Sequence, residues 1–413
     1  MSMKQKKDLT KQQQNKNLPL VTFIVSLFGI LYMNMIYYLN SPIPVSGQLL
    51  LLLRCVLILF TFLFVLTRLR SITVDKYSVL WIGTLLYVWS LFSSLSNLEL
   101  YGNPLQTIAD QSLWFVCLCF LDVYFGSEKK INTKRLRGIL CVGFFVFTIR
   151  YLVQALLTGF ASVSVNCIYY GLLLLPTAML TKKLWLRISM ISIATAITLL
   201  SSKRTAFIIL VAIVMIPLLI DLLKGNKNHT VALILVGAIA IFLVYKYVTE
   251  HYDIVLFDRF ANLGEDQGSG RFGIYQRVYA AIKESDLLGF LAGHGFNSIY
   301  LNQVVGSSAH NDFLEVAYDF GLVGLILYVM LFLKLIQNAF RLYKQNSEYA
   351  SAYVSALIAF LCMSVFSHLI LYPTYITFLF IFFSLGINDL KTKEKEREDK
   401  KAPKGLPTQR FGI

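Results

Sequence analysis

Residues 48–66 read QLLLLLRCVLILFTFLFVL, nineteen positions with a single charge, Arg54. At about 1.5 Å rise per residue, a helix of that length crosses a hydrocarbon core of about 30 Å. The run has no alternation of apolar and polar residues, so it does not read as a β-barrel strand. Comparable runs recur along the chain, at approximately 18–39, 77–95, 111–126, 138–158, 165–181, 187–200, 205–222, 230–249, 313–335, 351–370 and 374–388. The 413 residues are 56% hydrophobic and only 15% charged, against about 25% charged in soluble domains. The expected fold is an all-α polytopic membrane protein of about twelve transmembrane helices, with one long extracytoplasmic loop containing an amphipathic helix. Residues 1–17 form a basic tail, 18–249 nine spans, 250–312 the loop, 313–388 three spans and 389–413 a charged tail.

Charge sets the expected orientation. The net charge of +15 could suggest nucleic acid, but its distribution excludes that reading. The N-terminal tail, alternate connections (Arg68 to Lys76, Lys129 to Arg137, Lys182 to Arg187, Lys224 and Lys227, Lys334 to Lys344) and the C-terminal tail hold 29 of the 38 Lys and Arg residues. With an even number of spans all of these fall on one side, the cytoplasm. Seven fall on the other: Lys203, Arg204, Lys246, Arg259, Arg271, Arg277 and Lys283. Both termini are therefore expected in the cytoplasm, and the first span reads as a retained anchor. The tail after Leu390 is charged and reads as disordered. The six cysteines lie in or beside apolar runs without a C-x-x-C pair, and read as small packing residues.

The loop 250–312 is then the one connection large enough to build a site on a rigid scaffold. Its net charge is negative, with eight Asp and Glu against four Lys and Arg, so an anion bound there needs specific residues. Gly268-Ser-Gly-Arg-Phe-Gly273 fits G-x-G-x-x-G, but no strand precedes it, and a dinucleotide site is rejected. Locally, Ser269 can cap a helix from about Arg271 to about Ser285, with Ile274, Val278 and Ile282 on one face. Arg271 in the first turn of that helix adds a bidentate cation where unpaired N–H groups suit phosphate; pairing with Glu265 or Asp266 is the structural alternative. Asp312 followed by Glu315 reads as a capping box. His310, just before it, is either a hydrogen-bonded structural residue or a base for a hydroxyl. Lys203 and Arg204 run against the positive-inside bias, so they are either snorkelling cations or a second anion contact. Arg54 must face the bundle interior and find a partner. His294 and His368 read as structural.

Three segments together resemble a known pattern: Ser201-Ser-Lys-Arg204-Thr-Ala; Gly268-Ser-Gly-Arg271 followed by Gly293-His-Gly295; and His310-Asn-Asp-Phe-Leu-Glu315 followed by Gly321-Leu-Val-Gly324. Their order over roughly residues 190–335 is similar to that of the O-antigen ligase/polymerase superfamily of integral membrane glycosyltransferases. The resemblance implies a donor oligosaccharide on polyprenyl pyrophosphate, a glycan acceptor, a lipid bilayer, and release of polyprenyl pyrophosphate without a metal or cofactor. It implies polysaccharide-assembly proteins as a further partner class. Carried over, Arg204 and Arg271 would bind the pyrophosphate and His310 would orient or deprotonate the acceptor, with Arg259, Lys203 and Asn311 contacting substrate. Lys203 before Arg204, and His294 inside the G-x-G, depart from the pattern and leave substrate choice open. A repeat-unit polymerase is the first expectation. A ligase transferring a finished glycan to a lipid or protein is the second. A twelve-span transporter is the rival of another class, and it would carry functional charges near the midplane.

Overall fold

A computed structural model describes residues 18–39, 45–68, 75–127, 133–159, 165–201, 203–223 and 270–401, with isolated positions between 231 and 250. The described residues form helices and connections, without a strand. In chain order these are α1 (Leu18–Tyr38), α2 (Gly47–Leu66), α3 (Leu80–Leu95), α4 (Pro104–Ser127), α5 (Thr133–Thr158), α6 (Ile168–Leu174), α7 (Thr177–Leu180), α8 (Leu184–Leu200) and α9 (Arg204–Leu223). They continue with α10 (Arg271–Glu284), α11 (Leu287–Ala292), α12 (Ser298–Leu301), α13 (Asp312–Asp319), α14 (Gly321–Lys344), α15 (Ala350–Phe366) and α16 (Pro373–Lys401). Six helices, α1, α2, α4, α5, α9 and α14, are long and apolar enough to cross a membrane, and four apolar stretches are shorter. The ninth expected span, 230–249, and most of the loop before Gly270 lie outside the described residues.

Several local expectations change. The run 165–181 is not one helix: Pro176 removes an N–H, and α6 ends before it. The tenth expected span divides into α13 and α14 at Phe320–Gly321, where Gly321 takes φ +67. The charged tail is helical through Lys401, contrary to the expectation of disorder after Leu390. Its Lys and Glu residues are good helix formers, and Lys391, Lys393 and Glu394 pair with acidic and basic partners.

Packing runs α9 along α15, α16 along α4, and α4 along α2. Aromatic rings from α1, α5, α6 and α16 fill the centre: Phe378 meets Phe28, Phe147 and Tyr170, and Phe147 stacks on Tyr170. Only 22% of the apolar window of α2 is buried. Leu52, Val56, Leu59 and Phe62 face outward, as a lipid-facing helix requires. Between such helices cohesion comes from close packing and internal hydrogen bonds. The internal charge Arg54 fits this account. It pairs with Asp110, and its Nη2 donates to Asn34 Oδ1 at 3.1 Å.

The bundle has two chemically different ends. At one, Lys76 pairs with Glu394, Lys391 with Asp75 and Asp122, Lys182 with Glu348 and Arg187 with Asp221. At the other, α10–α13 pack over the head of α14 and the tails of α3 and α15. Two glycines seat this cap. A Cβ on Gly293 (φ +82) would meet Asp319 O at 2.3 Å, and one on Gly321 would meet Leu291 O at 2.4 Å. That mutual approach, with the Gly295 N–H donating to Asp319 O at 2.8 Å, is why neither Gly293 nor Gly321 has room for a side chain.

Candidate functional site

Arg271 opens α10, whose cap position is Gly270 in the left-handed region; Ser269, the expected cap, lies outside the described residues. Val278 is fully buried and Ile274 and Ile282 pack beside it, against Ile299, Val305, Ala309 and Tyr318. The amphipathic face is therefore covered by a second small core. That packing orients Arg271 toward the end of α15, where its Nη1 donates to Phe366 O at 2.7 Å. The last carbonyls of a helix lack intrahelical partners and carry the negative end of its dipole, which suits a guanidinium.

His310 lies where the chain turns from the loop into α13. Its backbone is left-handed at φ +53, a conformation uncommon for a residue with a side chain. The turn is held from several directions. Asn311, not Asp312, is the helix cap: its Oδ1 accepts from the N–H groups of Phe313 and Leu314, and its Nδ2 donates to Val365 O at 3.1 Å. Glu315 Oε2 accepts from Ala309 N at 2.6 Å. Tyr275 O–H reaches His310 O at 3.4 Å. The helix cap thus lies one residue earlier than expected, the reciprocal capping box does not form, and Asp312 is released for another contact. It is fully buried and accepts from the N–H groups of Leu369 and Ile370 and from Tyr328 O–H. Burial raises its pKa to about 6, against the pull of those donors. Burial also raises Glu315 and Asp319, which face each other on the same helix. Asp319 is occupied at the head of α12, taking N–H groups of Asn297 and Ser298 and the Ser298 hydroxyl.

The contact that Asp312 makes anchors the turn carrying His368. His368 is 7% exposed, and its Nδ1 lies 3.2 Å from His310 Nδ1 and 3.2 Å from Ser308 Oγ. Its ring also stacks near Tyr372. This burial and bonding agree with the reading of His368 as structural, and the even-span topology places it at the same end as His310.

Lys203 stands just before α9. Its Nζ bonds Asn166 Oδ1 and lies 4.5 Å from the centre of the Tyr169 ring. Burial, then Arg271 and Lys203, lower the pKa of His310 to about 4. Burial, then His310, Lys203 and Arg271, lower that of His368 to about 3. Burial also lowers Lys203, and Arg271 adds to that effect. Both imidazoles are neutral at pH 7, within the field of two cations.

Arg204 is the first residue of α9 and is 8% exposed. Ser355 Oγ donates to Ile213 O, and Ser351 meets Asp221. These contacts make α9 and α15 antiparallel, and their register puts Arg204 level with the last turn of α15, where Asn311 and Arg271 bond. Lys203, Arg271, His310 and Asn311 therefore converge, with Arg204 at the same level; Arg259 lies outside the described residues. Among the described residues no group of His, Cys, Asp and Glu is arranged to hold a metal ion.

Residues 188–329 match the family model described as O-antigen ligase. That segment is an O-antigen ligase-family domain. It includes Lys203, Arg204, Arg271 and His310, and stops short of His368. No curated protein matched the chain in a sequence search. The match, with the apolar helices, supports a multi-pass membrane protein of O-antigen ligase/polymerase type. It lends no support to a transporter.

Proposed function

We propose that the protein is a polysaccharide repeat-unit polymerase of the cytoplasmic membrane, joining polyprenyl-pyrophosphate-linked oligosaccharides at the outer face, with both termini in the cytoplasm. Its product would be a surface, capsular or exopolysaccharide. The observation that carries this reading is the meeting of Lys203 and Arg271 with a neutral His310 at the end of the bundle away from the lysine-rich connections.

In this reading the acceptor hydroxyl attacks the anomeric carbon of the donor sugar. The new glycosidic C–O bond forms as the bond to pyrophosphate breaks, with inversion. The electron pair leaves on the pyrophosphate, where Arg271, Arg204 and Lys203 offset its charge; such pre-placed cations are worth most in a partly dry site. The hydroxyl proton passes to the His310 imidazole, a step worth about 10²–10⁴-fold. Asn311 aims His310 by capping α13, and Arg259 contacts the glycan. No step calls for a metal or cofactor.

The test is incubation of the full-length protein in lipid nanodiscs with one lipid-linked repeat unit as sole substrate. A ladder of lengthened products is the expected result. Transfer only to an added, chemically different acceptor would replace the polymerase with a ligase. Movement of intact glycolipid across the bilayer, with no new glycosidic bond, would end the enzyme reading.

A further inference from the structure

The two histidines do not touch by accident of packing. Their Nδ1 atoms are 3.2 Å apart, His368 is buried, and its turn is tied to the head of α13 through Asp312. A neutral imidazole has one N–H and one lone pair. If both rings carried their proton on Nε2, two lone pairs would face each other across this contact. One Nδ1 therefore donates to the other, and both rings are neutral at pH 7 in the surrounding field.

We infer that His368 is a positioning residue for the transfer reaction: its Nδ1 accepts the Nδ1–H of His310, which leaves the lone pair of His310 on Nε2, the nitrogen turned away from this contact. The direction follows from the reading of His310 as the base, on which this inference rests, since only an unprotonated Nε2 can take the acceptor proton. The partner bound to one ring nitrogen decides the state of the other. Ser308 Oγ, 3.2 Å from the same His368 nitrogen, steadies that ring. The Asp312 contacts with Leu369 and Ile370 fix the distance between the two imidazoles, because Asp312 stands two residues after His310 and bonds the residues just after His368.

Two substitutions at His368 and one spectroscopic measurement test this. Asn places an acceptor oxygen about where Nδ1 lies, whereas Phe keeps the ring and removes the acceptor. His368→Phe is expected to lower kcat about 10²-fold, the low end of base catalysis, with the donor KM unchanged, and His368→Asn to stay within about fivefold of wild type by the same comparison. A His368→Phe enzyme within about twofold of wild type, or an Asn variant as slow as the Phe variant, overturns the inference. Histidine ¹⁵N spectra of the full-length protein in nanodiscs give a readout independent of turnover. An unprotonated Nε2 on His310 in the wild type, lost in His368→Phe, supports the assignment; a protonated Nε2 in the wild type defeats it. His310→Ala in the same assay separates the two levels. If it stays active, the reading of His310 as base fails; if it is dead while His368→Phe is unimpaired, the assignment of His368 alone fails.

Discussion

The two ends of the bundle hold cations in opposite ways. At the lysine-rich end, Lys76, Lys182, Arg187, Lys391 and Lys393 each meet a carboxylate within 4 Å. At the other end, Lys203 and Arg271 meet an amide oxygen, an aromatic ring and a helix-end carbonyl, and no carboxylate pairs with either among the described residues. Cations offset by carboxylates are internally satisfied. Cations held by neutral acceptors keep their charge available, and they depress the imidazoles beside them. The difference teaches that a basic residue marks an anion site through its neighbours, not through its own charge.

The sharpest way to break this comparison is to remove Arg271, which meets no carboxylate among the described residues. Arg271→Ala should lower product formation by about 10²–10³-fold, the scale seen when one charge-stabilising donor is lost, while the protein remains folded and membrane-inserted. Product lengthening by the variant at more than about a tenth of the wild-type rate would detach Arg271 from the chemistry. Lys203→Ala should act in the same direction and more weakly, because a lysine offers a point charge without the planar fork of arginine.

A second substitution makes the site resemble the opposite end. Asn166→Asp puts a carboxylate where Lys203 Nζ already bonds. The new ion pair should consume charge that the proposed mechanism assigns to the pyrophosphate, raising the donor KM about tenfold, or about 1.4 kcal/mol, with kcat less affected and the thermal midpoint unchanged or higher. An unchanged KM would mean that Lys203 does not contact the donor.

How far these two ends were legible in the sequence depends on the range of the forces involved. Where a span was readable, burial in a bilayer had imposed a local pattern: the run 48–66 has one interpretation, and α2 is among the six helices long and apolar enough to cross. The amphipathic face of α10 was readable for the same reason, from Ile274, Val278 and Ile282. The cap of α13 was misread by one residue, since Asn311 and Asp312 both suit a helix start and only the contact of Asp312 with Leu369 and Ile370 decides between them. Pairwise contacts across long separations were not legible from the local pattern. Asn166 with Lys203, His310 with His368 and Arg54 with Asp110 join residues tens of positions apart, and nothing in the local pattern at either partner specifies the other.

The field of Lys203 and Arg271 should also appear in pH profiles. As the proposed base His310 would act only when neutral, so activity should fall as pH drops through its pKa. In the free enzyme burial, Arg271 and Lys203 hold that pKa at about 4, and kcat/KM should fall only near that pH. A bound pyrophosphate offsets both cations, so the pKa in the complex rises and kcat should fall at a higher pH than kcat/KM. Coincident acid limbs, or a kcat limb at lower pH, would show that the donor does not sit between these cations.

The smallest effects belong to the paired end, and they grade with burial. Lys391 is 18% exposed and bridges Asp75 and Asp122, the latter 9% exposed. Lys391→Ala would leave Asp122 buried beside Asp75 without a cation, at a cost of about 1–3 kcal/mol in unfolding measurements. Lys182 and Glu348 are mostly exposed, at 78% and 53%. Water and salt screen that pair, so Lys182→Ala should change stability by less than about 1 kcal/mol. Neither substitution should alter the donor KM, because each cation at this end answers to a carboxylate already in place. A KM shift in Lys391→Ala at constant fold would show that the two ends communicate through α4 and α16, and the division between structural and available charge would then have to be redrawn.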